Sequence, residues 1–204
     1  MGSGKLHEIG LRHGTDKSTY HDYMDFYESH LDRDNIKKFL EIGVQGGHSL
    51  MAWREWLDSD CYIEGWDINS CTPVNGCTLK IVDQGDRDQI KNSICHVYDV
   101  ILDDGAHFPK TIETSFSVLF PYCKVYIIED LHAWWIGYRN GEEFSTVDLL
   151  RKISSDGWTS QYATDSESAY ISRNAKLVDI FSRGEPDNPL SMTAIIANKE
   201  RFNA

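Results

Sequence analysis

The chain has 204 residues, enough to bury the core of one domain, and its 20 basic and 32 acidic residues give a formal net charge of −12. A hydrophobic fraction of 41% is typical of a globular protein and excludes a disordered chain. Because an acidic surface repels phosphate groups and no apolar run is long enough to span a bilayer, we expect neither nucleic-acid binding nor membrane insertion.

The start of the sequence and its cysteines indicate where the protein resides. We interpret residues 1–4 as an expression remnant and residues 5–204 as a single domain. There is no secretory signal pattern and none of the five cysteines forms a C-x-x-C pair, so we expect reduced thiols in a cytoplasmic protein. Two points stay open: homo-oligomer formation, and excision from a larger polypeptide such as a fusion with glycosyltransferase domains.

Apolar runs of strand length alternate with helical patterns along most of the chain. An aromatic-rich amphipathic helix is predicted first, over residues 20–31. The predicted strands cover residues 38–43, 61–67, 78–82, 98–102, 124–128, 177–182 and 193–198. The predicted helices between them cover residues 47–57, 86–95, 110–120 and 142–155. This alternation predicts an α/β fold with a mainly parallel seven-stranded sheet flanked by helices, the last two strands forming a hairpin.

The first strand ends in a glycine-rich loop, Gly43 to Gly47, preceded by Glu41. Glycines at a strand-to-helix turn let the backbone approach a ligand, and Asp67 at the end of the second strand is placed to bind ribose hydroxyls. The loop reads G-x-x-G-G rather than G-x-G-x-x-G, and Glu41 would repel a pyrophosphate but attract a cation. The pattern therefore favours S-adenosylmethionine over NAD. The expected cofactor-binding residues are Glu41, Gly43, Gly46, Gly47, Ser49, Asp67, Asp83, Gln84 and Asp103.

Carboxylates follow the fourth and fifth strands, Asp103 and Asp104 after one and Glu129 and Asp130 after the other. Neighbouring parallel strands would bring them together, and like charges at short range call for a cation. Oxygen ligands without cysteine fit a hard ion such as Mg²⁺ or Mn²⁺. The alternative for either pair alone is helix or turn capping. His107, three residues after Asp104, is a candidate base.

Several segments together resemble a known family. They are GTDK from Gly14 with His21, Tyr23 and Tyr27, then LEIGVQGG from Leu40, DQGD from Asp83, DDGAH from Asp103, LFP from Leu119 and IIEDLHAWW from Ile127. In these segments, over roughly residues 10–135, the sequence resembles the macrocin and mycinamicin O-methyltransferases, a family that methylates deoxysugars of natural products and includes rhamnosyl O-methyltransferases.

The resemblance implies a Rossmann-like class I methyltransferase fold that uses S-adenosylmethionine and Mg²⁺ or Mn²⁺. It implies that Asp104, Glu129 and Asp130 hold the metal, that His107 is the general base, and that the substrate is a sugar hydroxyl, for example of rhamnose in a glycan or a glycosylated natural product. Residues 11–31 would form a lid. Two departures from the family pattern are Ala106 in place of serine, and the missing Pro-Gly-Gly before the fifth strand.

The aromatic residues near these motifs are candidates for the sugar site, with packing in the core as the alternative for each. They are Tyr20, His21, His132, Trp134 and Trp135. Three other functions remain open at this point: a metal-dependent catechol-type O-methyltransferase, an NAD-dependent sugar oxidoreductase and a non-catalytic binding domain. Residues 136–204 show no match to the family, so they do not identify the sugar.

Overall fold

The computed structural model describes residues 4–153, 155 and 157–202, without the side chain of Phe202. Of the predicted expression remnant, residues 1–3 lie outside the described residues. The strands are β1 (Lys38–Ile42), β2 (Tyr62–Asp67), β3 (Cys77–Ile81), β4 (Tyr98–Asp103), β5 (Cys123–Ile128), β6 (Ala175–Glu185) and β7 (Asn188–Asn198). The α-helices are α1 (Lys5–His13), α2 (Asp16–Thr19), α3 (Tyr23–His30), α4 (His48–Trp56), α5 (Arg87–Ser93), α6 (Pro109–Leu119), α7 (Thr146–Lys152), α8 (Asp165–Asn174) and α9 (Lys199–Phe202).

The seven strands form one mixed sheet in the order β3-β2-β1-β4-β5-β7-β6. Strands β1 to β5 are parallel, whereas β7 runs antiparallel to both β5 and β6. The predicted terminal hairpin is confirmed, and its antiparallel strands make the sheet mixed rather than purely parallel. The direction of winding changes between β1 and β4, and in such sheets the ligand site lies beyond the carboxyl ends of these strands.

The register of the central strands aligns the residues that follow them. Ile42 of β1 pairs with Asp103 of β4, and Asp103 pairs in turn with Ile128 of β5. The amide of Asp104 donates to the Ile42 carbonyl at 2.9 Å, and the amide of Glu129 donates to the Asp103 carbonyl at 2.9 Å. The loops after β1, β4 and β5 therefore start at the same height on one edge of the sheet.

Alternation along the strands builds a core on each face of the sheet. Leu40 and Ile42 contribute to the core that also contains Phe116 of α6. Phe39 lies on the opposite face, where its ring centroid is 4.8 Å from that of Trp53 in α4. Both faces are covered, as expected for a sheet with near-continuous apolar strands.

Most predicted elements are confirmed, and the main differences concern three helices. The helix predicted over residues 142–155 starts only at Thr146, because Ser145 and Asp148 form a capping box there, and Ser154 lies outside the described residues. The predictions missed α1 altogether, and they missed α8 although Thr164 and Glu167 form the same kind of box. In the described part of the chain, no helix is both long and apolar enough to cross a membrane.

Candidate active site

Two adjoining clefts open at the carboxyl edge of the sheet and share Gly43, Gln45 and Asp104. The β2-side cleft, of about 240 Å³, is lined by Ile42, Gly43, Gln45, Asp67, Ile68, Asn69, Val82, Asp83, Gln84, Asp104, Gly105 and Ala106. The N-terminal cleft, of about 270 Å³, is lined by Gly14, Thr15, Asp16, Lys17, Gly43, Val44, Gln45, Gly46, His48, Ser49, Asp104, His107 and Asp130. The segment predicted as a lid thus forms part of the wall of the second cleft.

The glycine loop brings the backbone of β1 against that of β4. Gly43 has a φ of +88°, and a Cβ at this position would clash with the carbonyl oxygen of Asp104. Only glycine tolerates both conditions. Gly43, Gly46 and Ser49 line the N-terminal cleft, whereas Gly47, with a φ of 78°, is the N-cap of α4 and lines neither cleft.

The acids after β2 and β3 lie where the sequence placed them, in the wall of the β2-side cleft. Asp67 Oδ2 accepts hydrogen bonds from the amides of Val44, at 3.0 Å, and Gln45, at 2.9 Å. Asp67 therefore holds the glycine loop as well as facing the cleft. Asp83 and Gln84 line the same cleft, and Gln84 Oε1 accepts from the amide of Ala106 at 2.7 Å.

Asp103 requires a correction, since it lines neither cleft. Its side chain is 1% exposed and accepts hydrogen bonds from Gln84 Nε2 at 2.9 Å, Ser115 Oγ at 2.6 Å and Tyr126 OH at 2.9 Å. Alternation along a strand sends neighbouring side chains to opposite sides. Asp103 thus points into the core and positions Gln84, while Asp104 points to the clefts.

Lys17 is the main residue of this site that sequence reasoning missed. It is 1% exposed, and its ammonium group donates to Asp104 and, at 2.8 Å, to Glu129, with Glu41 at 3.7 Å. A buried cation between three carboxylates neutralises part of their charge. The only sequence signal was its place in the GTDK segment, which does not reveal partners 87 and 112 residues away.

Asp104, His107 and Asp130 offer ligand atoms that all lie within 4.8 Å of one another. His107 Nε2 is 4.0 Å from Asp104 Oδ1 and 3.7 Å from Asp130 Oδ2. His107 and Asp130 both have positive φ, 59° and 52°, a conformation costing about 1–3 kcal/mol that concentrates at functional sites. Burial raises the pKa of Asp104, and the charges of Lys17 and His107 oppose that shift.

Glu129 is buried beside Asp104 and Asp130, but its carboxylate faces Lys17 and Tyr27. One of its oxygens accepts from Lys17, and the other accepts from Tyr27 OH at 2.8 Å. Burial raises its pKa well above the usual range, and Lys17 opposes the shift. Among the described residues Glu129 belongs to no three-residue group of metal-ligand atoms, so of the three predicted ligands only Asp104 and Asp130 are brought together around open space.

Glu41 is fully buried, and neither of its carboxylate oxygens has a hydrogen-bond partner of normal geometry among the described residues. Burial raises its pKa to about 7, opposed chiefly by Lys17. A buried carboxylate without a full set of partners is costly unless a cation comes near. Like Asp103, Glu41 lines neither cleft, so it faces Lys17 beneath the glycine loop rather than the open part of the site.

The predicted sugar-site residues divide into two sets. His21 and His132 are buried beside Asp130, with nitrogens 3.9 Å and 3.8 Å from its Oδ1. Burial lowers the pKa of His132. The others face different surroundings: Trp135 packs against the core, Trp134 lies under Arg139, and Tyr20 is 56% exposed.

No family model matches the chain, but the chain is similar to curated sugar O-methyltransferases. The chain is 30% identical over 165 residues to an 8-demethyl-8-α-L-rhamnosyl tetracenomycin-C 2'-O-methyltransferase from Streptomyces olivaceus, covering 71% of this chain and 43% of that protein. It is 31% identical over 152 residues to the mycinamicin VI 2''-O-methyltransferase of Micromonospora griseorubida, covering 65% and 38%. The resemblance to sugar O-methyltransferases is confirmed. The chain spans about two fifths of the length of these relatives.

Solved structures confirm the class I methyltransferase fold. A methyltransferase of mycinamicin biosynthesis, solved with Mg and S-adenosylhomocysteine, superposes with a TM-score of 0.73 at 24% identity, over 97% of this chain and 55% of that one. A putative caffeoyl-CoA O-methyltransferase from Staphylococcus aureus superposes with a TM-score of 0.57 at 15% identity, over 96% and 93%. At these identities the likeness concerns the fold alone.

Proposed function

We propose that this chain is an S-adenosylmethionine- and Mg²⁺-dependent O-methyltransferase that acts on a sugar hydroxyl, with a deoxysugar such as rhamnose on a glycosylated natural product as the substrate class. The observation that carries the proposal is the pair of clefts that meet at Asp104, beside Asp130 and His107. Relatives of about 30% identity with sugar O-methyltransferase activity support the choice of a sugar over a planar catechol or an NAD-linked reaction.

The cofactor is proposed to lie across both clefts. Its adenosine would occupy the β2-side cleft, where Asp67 can accept from ribose hydroxyls and Asp83 and Gln84 can contact the adenine edge. Its amino-acid end would occupy the N-terminal cleft beside Gly43, with the buried charge of Glu41 attracting its cationic groups. In this orientation the sulfonium methyl group would lie near Asp104, which both clefts share.

Asp104 and Asp130 are the residues best placed to hold a divalent cation. When bound, such an ion orients neighbouring sugar oxygens and lowers the pKa of the reacting hydroxyl. Glu129, the third predicted ligand, is already engaged through both oxygens, one accepting from Lys17 and the other from Tyr27. His107 is 18% exposed at the cleft, so its imidazole can take the hydroxyl proton while Asp130, 3.7 Å away, stabilises the resulting cation.

A methyl-transfer assay tests the proposal. The chain is incubated with S-adenosylmethionine and either an aryl α-L-rhamnoside or a catechol, and release of S-adenosylhomocysteine is measured with the mass of the acceptor. We expect methylation of the rhamnoside, abolished by EDTA and restored by Mg²⁺ or Mn²⁺. Transfer to the catechol alone, or undiminished turnover in chelator, would contradict the proposal.

A further inference from the structure

The two oxygens of Asp130 face two different groups of side chains. Oδ2 faces His107, whose Nε2 lies 3.7 Å away on the side of Asp104. Oδ1 faces the opposite side, where His132 Nδ1 is 3.8 Å away and His21 Nε2 is 3.9 Å away. These three separations are too long for direct hydrogen bonds, so none of the three imidazoles is hydrogen-bonded to the carboxylate. The second group therefore brings three potential ligand atoms close together on the other side of Asp130.

Each of the two histidines turns one ring nitrogen toward Asp130. His21 uses its other nitrogen, Nδ1, for a hydrogen bond of 2.8 Å with Ser191 Oγ, which leaves Nε2 facing Asp130. His132 is 8% exposed, and its Nδ1 has no hydrogen-bond partner among the described residues. Their ring centroids are 5.4 Å apart. A buried ring nitrogen without a hydrogen-bond partner is destabilising unless something binds it.

The surroundings hold two of the three side chains, Asp130 and His21, in place. Tyr23 OH donates to Asp130 Oδ1 at 2.9 Å and accepts from the amide of Met192 at 2.9 Å. The ring of Tyr23 stacks on that of His21, with centroids 4.9 Å apart and planes inclined by 10°. Hydrogen bonds to the far nitrogen of a histidine and to a ligating carboxylate are the usual support of a metal centre.

We propose that His21 Nε2, His132 Nδ1 and Asp130 Oδ1 form a binding site for a transition-metal ion, distinct from the oxygen-rich position between Asp104 and Asp130. Two imidazoles and one carboxylate suit Zn²⁺, Co²⁺ or Ni²⁺ better than Mg²⁺. The three atoms lie within 4.8 Å of one another. Ligands at about 2.1 Å from a tetrahedral ion are roughly 3.4 Å apart. The gaps of 3.8 Å and 3.9 Å to Asp130 would need to close by about half an ångström, and the gap between the two histidine nitrogens, which is at most 4.8 Å, by no more than about 1.4 Å.

Asp130 would then bridge two cation positions, one through each oxygen. Carboxylates commonly bridge paired metal ions about 3.5–4 Å apart in enzymes. The site on the histidine side has three protein ligands and therefore keeps a coordination position for water or a substrate oxygen. The inference does not rest on methyl transfer, because it concerns metal binding by the chain alone.

Titration of the metal-free chain with Co²⁺, in the presence of excess Mg²⁺ and without cofactor, tests the site. Visible absorption reports nitrogen coordination and calorimetry reports stoichiometry. We expect one Co²⁺ per chain, with at least tenfold weaker binding in both His132→Gln and His21→Gln, and a smaller loss in Ser191→Ala. His30→Gln is the matched control and should bind Co²⁺ like the parent, since the polar contacts of His30 among the described residues lie within its own helix turn and with Asp179.

Further variants separate this site from the other metal-ligand groups. Binding should persist in Asp104→Asn and His107→Gln, and also in His96→Gln, which removes a member of the Glu64, Cys95 and His96 group. Far-ultraviolet circular dichroism verifies that each variant is folded. If His132→Gln does not fold, His21→Gln alone decides. Absence of Co²⁺ binding, binding unchanged in the His21 variant, or binding lost only in the Asp104, His107 or His96 variants would overturn the proposal.

Discussion

Replacing Lys17 by methionine removes the buried cation at the centre of the site while keeping the length of the side chain. Its ammonium group contacts Asp104, Glu129 at 2.8 Å and Glu41 at 3.7 Å, and the side chain is 1% exposed. Removing one partner from a buried ion pair typically costs about 3–5 kcal/mol, because the other charge is left uncompensated. We therefore expect Lys17→Met to lower the free energy of unfolding by that amount at pH 8.

The loss should shrink as the pH falls. Buried carboxylates without Lys17 bind protons more tightly when folded than when unfolded, so their penalty is absent at low pH and grows as the pH rises. The penalty grows over the pH range between the ordinary glutamate pKa of 4.5 and the raised pKa of the folded state. For Glu41 this raised pKa is about 7 even with Lys17 present. The free energy of unfolding of the variant should therefore be much closer to that of the parent at pH 5 than at pH 8.

Urea unfolding followed by tryptophan fluorescence measures both effects. Lys37→Met is the matched control, because Lys37 also pairs with a carboxylate, Asp58 at 3.0 Å, but is 48% exposed, and its loss should matter far less. Adding Glu129→Gln to Lys17→Met should recover stability at pH 8, whereas Glu129→Gln alone should not. Equal losses for Lys17→Met and Lys37→Met at pH 8 would refute the reasoning.

Three further predictions concern the cofactor, the base and the fold. Asp67→Asn should weaken S-adenosylhomocysteine binding about ten- to a hundredfold in calorimetry, since charge-assisted hydrogen bonds contribute about 1.5–3 kcal/mol each. The control is Asp60→Asn, which changes an exposed aspartate and should leave S-adenosylhomocysteine binding unchanged. His107→Ala should lower kcat by about 10²–10⁴-fold with cofactor affinity unchanged; a near-parental kcat would show that His107 only holds Asp104. Burial raises the pKa of Glu113 to about 7, so this group's contribution to stability, at most about 3 kcal/mol, is present at low pH and lost as the pH rises from 4.5 to 7. Glu113→Gln should flatten that part of the thermal-stability profile, and an unchanged slope would contradict the assignment.

The sequence determined the scaffold on which these predictions rest. Strand and helix periodicities located β1 to β5 to within one residue at each end. For β1, β2, β4 and β5 the reason is that inner strands covered on both faces leave a continuous apolar signal, whereas β3 lies at the edge of the sheet and has no buried residue. The same local signals located the ends of the strands, and with them the loop at Gly43 and the acids Asp67, Asp104 and Asp130. The two capping boxes at Ser145 and Thr164 were also readable in the sequence and were missed.

Only the tertiary structure decided what these side chains face. Asp103 and Asp104 are adjacent in sequence, yet the pleat of β4 sends one into the core and the other to the clefts. Glu129 and Asp130, which follow β5, also face different partners: Glu129 contacts Lys17, and Asp130, whose φ is 52°, faces His107. Lys17 reaches its partners only because α2 packs over the carboxyl edge of the sheet. Contacts between residues about a hundred positions apart in the sequence depend on how the elements pack, so local sequence patterns do not predict them.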